Sequence, residues 1–387
     1  MIDIQKHRQQ FSGLKDKYYF NFGGQGILPQ SALQKIIDTY QYIDRVGPFG
    51  LEINTWLAKN TYLTKKAIAS QLGVTPNTIA LTENVTNSCN IVLWGIEWDA
   101  EDEILLTDAE HPAIIAIVRE ISRRFGVKIS VCPIIATLNQ GNPREVIKNH
   151  LTPHTRLVVI SHILWNTGQV LPLKDIVSVC HANQGSKPTE VLVDAAQSAG
   201  SLPLDLITSD VDYYGCTGHK WLCGPSGVGF LYVREDLLTR LYPTYIGWRG
   251  INATQADLPF NEDGSRYEVA TSAYPLFAGL QEAIAVHQQW GTITERYQRI
   301  CELSNYLWTG LDQLDGIECL KHNPPESGLV SFYPTMRENA QQIVKNLEHK
   351  GFYLRTLANP YCIRACVHYL TLETEIEALI KAIRDEN

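Results

Sequence analysis

The sequence predicts an α/β fold, with a large domain built on a mostly parallel sheet between helices and a smaller α+β domain. Three observations point there. Between residues 78 and 233, short apolar runs alternate with helical stretches, the pattern of strands joined by crossover helices. Toward the C-terminus the pattern changes to short strands at 329–333 and 363–367 among helices. The length of 387 residues exceeds what one hydrophobic core usually serves, so two domains are expected: 18–272, and a second that combines 1–17 with 273–387.

Composition narrows the classes of partner. With 44% apolar and 19% charged residues the chain reads as an ordinary globular protein. A formal charge of -8 and a pI near 5.8 give no general attraction to nucleic acid or anionic membranes, so an anionic ligand needs a local site. No apolar stretch approaches the ~20 residues that span a bilayer, and MIDIQKHRQQ lacks the apolar centre of a signal peptide. A cytoplasmic protein is expected. Nine cysteines, an odd number without short regular spacing, argue against a disulfide framework. Cys89, Cys132 and Cys180 lie in apolar runs and read as core.

Taken in order, residues 1–17 are polar and charged, and KYYFNFGGQGILP then carries an aromatic run into a glycine turn. Gly23, Gly24 and Gly26 read either as backbone passing close to a bound substrate or as a plain turn. Helices are predicted over 30–45 and 55–72, the second stopped by Gly73. From Thr78, TIALTENVTNSC reads as a strand, a polar turn and a helix that starts at Val85 or Thr86. The amides and hydroxyls there either hold a phosphate or belong to ordinary capping by Asn84 or Thr86. DEILLTDAEHPAIIAIVREISRRFG reads as strand, loop and helix, with Pro112 opening the helix and Gly126 ending it. His111 is therefore either a cap or a residue of a site at the strand end. Strands follow at 128–132 and 156–161, and Asn166 sits in the loop after the second, before Gly168.

The apolar run 190–194 ends in Asp194, and the run 211–214 leads into GCTGHKWLCGPSG, a loop that carries Lys220 toward a strand at 227–233. Alone, Lys220 would read as a solvated loop residue and Asp194 as a strand-end cap. Together, at neighbouring strand ends, they form the pair that pyridoxal phosphate enzymes need: an amine to attach the cofactor and an acid to keep its pyridine nitrogen protonated. Further on, IGWRGIN at 246–252 offers Arg249, which either reads a substrate carboxylate or is exposed. Long helical stretches run over 276–290 and on to 314, with a helix at 338–350 and a last one at the C-terminus. Arg364 lies inside the apolar, alternating YCIRACVHYL, where a buried arginine needs either an internal carboxylate or a ligand's.

VDAAQSAG at 193–200 and TGHKWLCGPSGVGFLYV at 217–233 resemble the pyridoxal phosphate signature of the class V aminotransferases, the family that includes cysteine desulfurases and selenocysteine lyases. The resemblance runs from about Phe20 to the last helix and is nearest to the cysteine/cystine carbon–sulfur lyases of cyanobacteria. It implies the fold type I architecture of pyridoxal phosphate-dependent transferases. It further implies that Lys220 carries the cofactor, Asp194 pairs with the ring nitrogen, and His111 lies flat on the ring. Asn166 and Gln197 would contact the phenolic oxygen, and Val85, Thr86, Thr217 and His219 the phosphate. Thr271 would reach the neighbouring subunit's phosphate in a homodimer. Arg364 would clamp the substrate's α-carboxylate, with Gly24 and Arg249 as further candidates on the substrate side. No metal is implied.

The chain departs from the family at one place. Cysteine desulfurases carry a long loop with a nucleophilic cysteine between an RTG-like strand end and the arginine strand. Here only eight residues, TLANPYCI, separate Arg355 from Arg364, and Cys362 would share Arg364's face of a strand. The expected reaction is therefore β-elimination on L-cystine or L-cysteine, giving pyruvate, ammonia and a persulfide or sulfide for a sulfur-acceptor protein, with iron–sulfur cluster assembly as a destination. Cystine is expected to react better, because a persulfide leaves as the more stable anion. Two alternatives stay open: a desulfurase that releases alanine by way of Cys362, and a noncatalytic cofactor-binding protein, which no basic helix-turn-helix segment favours.

Overall fold

A computed structural model describes residues 3–336 and 339–386. Its largest sheet has seven strands in the order Ile79–Thr82, Gly229–Val233, Tyr213–Thr217, Glu190–Asp194, Thr155–Ser161, Glu103–Thr107 and Lys128–Cys132. Neighbours are parallel except around Gly229–Val233, which runs antiparallel to both of its partners. Alternate side chains go to two apolar clusters: Val158, Ile160, Val191 and Val193 to one face, Leu157, Val159 and Leu192 to the other. The first face is covered by helices Leu51–Leu72, Leu173–His181 and Tyr274–Trp290, the second by Val85–Gly95 and Pro112–Phe125. Burial from both sides is why these strands read as continuous apolar runs.

The other main sheet is antiparallel, in the order Arg355–Ala358, Tyr361–Cys366, Leu329–Pro334 and Ile317–Cys319. Helices Ile293–Asp312 and Glu373–Glu386 pack on it through Leu303, Leu307, Ile376 and Leu379. The pairing of Arg355 with Arg364 and of Ala358 with Tyr361 leaves Asn359 and Pro360 as the whole connection between the two strands. The fold is thus the expected α/β architecture, a mostly parallel sheet between helices beside a smaller antiparallel sheet.

Several details depart from the sequence reading. The strand expected at 211–214 lies at Tyr213–Thr217, because Gly215, loop-like by type, is pulled into the ladder by Asp194 on one side and Leu231 on the other, and Thr217 by Gly229. The second long helix starts at Leu51 instead of 55, directly after Gly50. Helices Pro143–His150 and Leu173–His181, with one buried residue and five respectively, were not anticipated. Of the helix expected at 338–350, the described part is Ala340–His349, and residue 338 lies outside the described residues, as do residues 1 and 2 of the N-terminal arm and residue 387. The polar N-terminal stretch packs into the fold: Phe11 and Leu14 are buried against a cluster that includes Trp221, Trp290 and Tyr369. Among the described residues no helix is long and apolar enough to cross a membrane.

Candidate active site

The loops that leave the C-terminal ends of the parallel strands converge on a pocket of about 480 Å³. Its wall includes Val85, Thr86, His111, Asp194, Gln197, Thr217, His219 and Lys220, eight of the residues singled out from the sequence, together with Asn84, Ser161, Ile163, Trp165 and Ala196. Strand register explains the arrangement: Ser161 lies opposite Asp194, and Asp194 opposite Gly215, so the loops after these strands leave the sheet side by side.

Lys220 sits in a turn pressed against the glycine run near the N-terminus. The Gly26 amide donates to the His219 carbonyl at 2.6 Å, and a Cβ on Gly26 would come within 2.1 Å of the Lys220 carbonyl. The run is a turn, with the Gly24 and Gln25 amides donating to the Asn21 carbonyl, and within it Gly26 makes its close approach to the backbone of the Lys220 turn. Burial pushes the Lys220 amine from its ordinary 10.5 down to about 8, with Asp194 pulling upward and Arg364 adding to the depression. Asp194 accepts the Ala196 amide at 2.9 Å, which fixes the direction of its carboxylate. His111 caps helix Pro112–Phe125, its Nδ1 accepting the Ala113 amide at 3.2 Å, while its ring meets Trp165 edge-on at 5.5 Å. Burial holds this imidazole below its usual value, so it is a neutral aromatic face in the pocket wall.

At the other end of the pocket, Asn84 caps helix Val85–Gly95 by accepting the Asn87 amide at 3.0 Å. The amides of Val85 and Thr86 belong to the first turn and have no acceptor within the helix. Thr217 Oγ1 and His219 Nδ1 lie 2.6 Å apart beside them. Gln197 is fixed from both sides, donating to the Gly23 carbonyl at 2.9 Å and accepting from Trp221 Nε1 at 2.8 Å.

Arg364 comes in from the small sheet. It is fully buried and donates to the Trp165 carbonyl at 2.6 Å, but its Nε and Nη2 have no partner, and among the described residues no carboxylate pairs with it. A Cβ on Gly23 would sit 3.2 Å from that Nη2. Asn166 donates to the Asn359 carbonyl at 3.0 Å, leaving its Oδ1 unpartnered, and is not part of the pocket wall. Gly24 packs over the Asn21 side chain, where a Cβ would come within 2.7 Å. Two other candidates lie outside the pocket. Arg249 pairs with the buried Glu268 and lies over the Tyr274 ring, and Thr271 is on the surface.

Sequence reading missed Glu110, Ser161 and Trp165. Glu110 is buried beneath the pocket and accepts from Thr107 Oγ1 at 2.6 Å, the Ser161 amide at 3.0 Å and Ser161 Oγ at 2.8 Å. Burial raises its carboxyl to about 7 in spite of these bonds. An acid directly before His111 at a strand end was the available signal. Trp165 walls the pocket and holds Arg364 through its carbonyl, a role no local pattern announces.

These groups fit pyridoxal phosphate. An amine of lowered basicity, a carboxylate on the next strand, a neutral ring and a helix start with free amides match its aldehyde, ring nitrogen, aromatic face and phosphate. The unpartnered guanidinium fits a carboxylate on what binds beside it. Among the described residues no cluster of three or more His, Cys, Asp or Glu could hold a metal ion.

Comparison with known proteins agrees. The family model described as aminotransferase class-V matches residues 19–381. The cystine C–S lyase C-DES, in complex with its reaction product cysteine persulfide, superposes with a TM-score of 0.95 at 53% identity over 97% of this chain and 99% of that one. A lysine-to-alanine variant of C-DES, with glycine covalently linked to its pyridoxal phosphate cofactor, gives 0.95 at 52% identity over 98% and 99%. Among curated proteins, the isopenicillin N epimerase of Amycolatopsis lactamdurans is 28% identical over 389 residues, 94% of each chain.

Proposed function

The chain belongs to the class V aminotransferase family, and we propose that within it this protein is a pyridoxal phosphate-dependent carbon–sulfur lyase acting on L-cystine and L-cysteine by β-elimination. One observation carries the choice of elimination over desulfuration. The strands of Arg355 and Arg364 join through Asn359 and Pro360 alone, which leaves no loop to present a nucleophilic cysteine. The nearby Cys362 is buried within the strand, and burial pushes its thiol up to about 12, far from the thiolate a sulfur-accepting nucleophile must be.

When bound, pyridoxal phosphate supplies an electron sink for the charge developing at the substrate's α-carbon. The protein's part is to hold, orient and move protons. Val85, Thr86, Thr217 and His219 would hold the phosphate, His111 would cover a ring face, and Gln197, with Asn166 from behind the pocket wall, would be the residues toward the phenolic oxygen. Asp194 keeps the ring nitrogen protonated. Lys220 would attach the cofactor through Nζ and, as the free amine, would take the α-proton there, a task suited to an amine brought down to about 8. Arg364 grips the α-carboxylate through its two unpartnered donors. The β-carbon then releases sulfur with the electron pair of the C–S bond, as cysteine persulfide from cystine or hydrosulfide from cysteine. Hydrolysis of the remaining three-carbon enamine gives pyruvate and ammonia. Cystine is the better substrate because the persulfide is the more stable leaving anion, and C-DES, whose product is cysteine persulfide, supports that preference.

The protein acts as a homodimer in this reading. Tyr245, Ile246 and Trp248 expose apolar surface on a loop whose Gly247 packs against Val269, two residues before Thr271, which would reach the partner's phosphate site. The nine free cysteines suit a reducing, cytoplasmic compartment, with a sulfur-acceptor protein, in iron–sulfur cluster assembly, receiving the product.

The test is the carbon product from L-cystine and from L-cysteine. Pyruvate and ammonia in equal amounts, undiminished in Cys362→Ala, support elimination. Alanine as the product would show that a thiol abstracts the sulfur and would sink the reading.

A further inference from the structure

The backbone around Lys220 is held from outside the pocket. Five consecutive carbonyls, Gly218 to Leu222, each accept a hydrogen bond. Gly218 accepts from the Gly224 amide at 2.9 Å, His219 from Gly26 at 2.6 Å and Lys220 from Cys223 at 3.0 Å. The last two accept from imidazoles distant in sequence: Trp221 from His368 Nε2 at 3.3 Å, and Leu222 from His287 Nε2 at 3.0 Å.

A carbonyl only accepts, so each ring nitrogen facing one carries the proton, and both tautomers follow. His368 Nδ1 is then an acceptor, and the Leu370 amide donates to it at 3.4 Å. His287 Nδ1 likewise accepts, from the Tyr369 hydroxyl at 2.6 Å. Having given its proton, the Tyr369 oxygen accepts from His7 Nε2 at 3.1 Å. His7 Nδ1 is left to accept from Gln10 Nε2, also at 3.1 Å. Donation thus runs one way, from Gln10 through His7, Tyr369 and His287 to the Leu222 carbonyl, two residues past Lys220.

The relay lies in an apolar cluster of Phe11, Phe22, Trp221, Trp290 and Leu370. Burial depresses His7 to about 4 and His368 to about 3, and holds His287 well below its ordinary value. All three rings are therefore neutral at physiological pH, as the relay requires, since a doubly protonated ring has no acceptor nitrogen. Buried hydrogen-bond networks that are fully satisfied rigidify what they join.

Three segments are joined here. One is the N-terminal stretch, where Arg8 also donates to the Leu370 carbonyl at 2.6 Å and pairs with Glu375. Another is the end of the Arg364 strand, which runs through Cys366 into His368 and Tyr369. The last is the Lys220 turn. We propose that His7, Tyr369, His287 and His368 are positioning residues that lock the Arg364 strand to the Lys220 turn, so that the proton acceptor and the carboxylate grip keep a fixed separation. This rests on the reading that Lys220 holds pyridoxal phosphate and Arg364 the substrate carboxylate.

Tyr369→Phe keeps the ring and removes the hydroxyl from the middle of the relay. In the cofactor-loaded, folded variant, kcat for cystine should fall roughly tenfold with KM within about twofold, because a displaced base costs rate more than binding. Without substrate, the pH midpoint of the absorption of the cofactor on Lys220 should move by about half a unit or more. Wild-type kcat and midpoint, with or without a lowered Tm, would mean the relay only stabilises the fold and would overturn the proposal. Should Tyr369→Phe not fold, His7→Phe, at the relay's outer end, is read by the same two measurements, and wild-type values there overturn it equally. Failure of the underlying reading looks different: borohydride reduction of the substrate-free, cofactor-loaded protein would then fix no cofactor on Lys220.

Discussion

Two arginines entered the sequence reading as hands for a substrate carboxylate, and the structure gives them different company. Arg249 meets Glu268, whose other oxygen holds Lys65 at 2.8 Å and the Leu81 amide at 3.0 Å, so it has a buried counterion, shared with Lys65, and one donor, Nη1, left over. Arg364 is buried more deeply and has one backbone carbonyl, with two donors left over. A buried cation without a counterion costs stability, and a protein that retains one has a use for it. The comparison says that a basic residue in a suggestive loop and one in an apolar strand differ by what waits for them across the fold, which local pattern does not contain.

The account separates the two by experiment. Lys220→Ala sets the floor for both, since it removes the group that takes the α-proton: elimination should drop by at least roughly 10⁴-fold, measured as pyruvate formation. Next in size, Arg364→Gln should lower kcat/KM for cystine by roughly 10²-fold or more, with Tm unchanged or higher because an unpaired buried charge is gone. Arg249→Ala should do the reverse, costing about 3 kcal/mol in denaturant unfolding by stranding part of the Glu268 charge, while kcat/KM of the folded protein changes little. With cystine saturating, kcat should climb as pH rises through about 8. Burial has lowered Lys220 from 10.5, so its proton-accepting form is lost below that value, and a profile flat from pH 6 to 9 would remove Lys220 as the base. The smallest effect belongs to Cys362→Ala, whose pyruvate formation should stay within about twofold of the parent.

How much of this was legible before the structure follows the same line. The strand-end acid and the loop lysine announce themselves because both sit where an apolar run stops, and sheet register alone brings such loops together. The short connection between Arg355 and Arg364 could be counted, and it became the two-residue turn at Asn359 and Pro360. What the sequence hid is long-range. His7 reads as part of a charged N-terminal string but bonds Tyr369, 362 positions away. Trp165 reads as an apolar loop residue but supplies, among the described residues, Arg364's only acceptor, 199 positions distant. Glu268 gives no sign that it will occupy Arg249. Helix Leu173–His181 was overlooked because its five buried residues sit in a segment too short to show several turns of periodicity.

The most direct test of the central claim, that Arg364 and not Arg249 is the carboxylate grip, is to bind an unreactive amino acid and its decarboxylated counterpart and follow the cofactor's absorption. Glycine should bind the unaltered protein at least roughly tenfold tighter than methylamine. Arg364→Gln should erase that difference, and Arg249→Gln should preserve it. Preference for glycine that survives in Arg364→Gln, or vanishes in Arg249→Gln, would contradict the account.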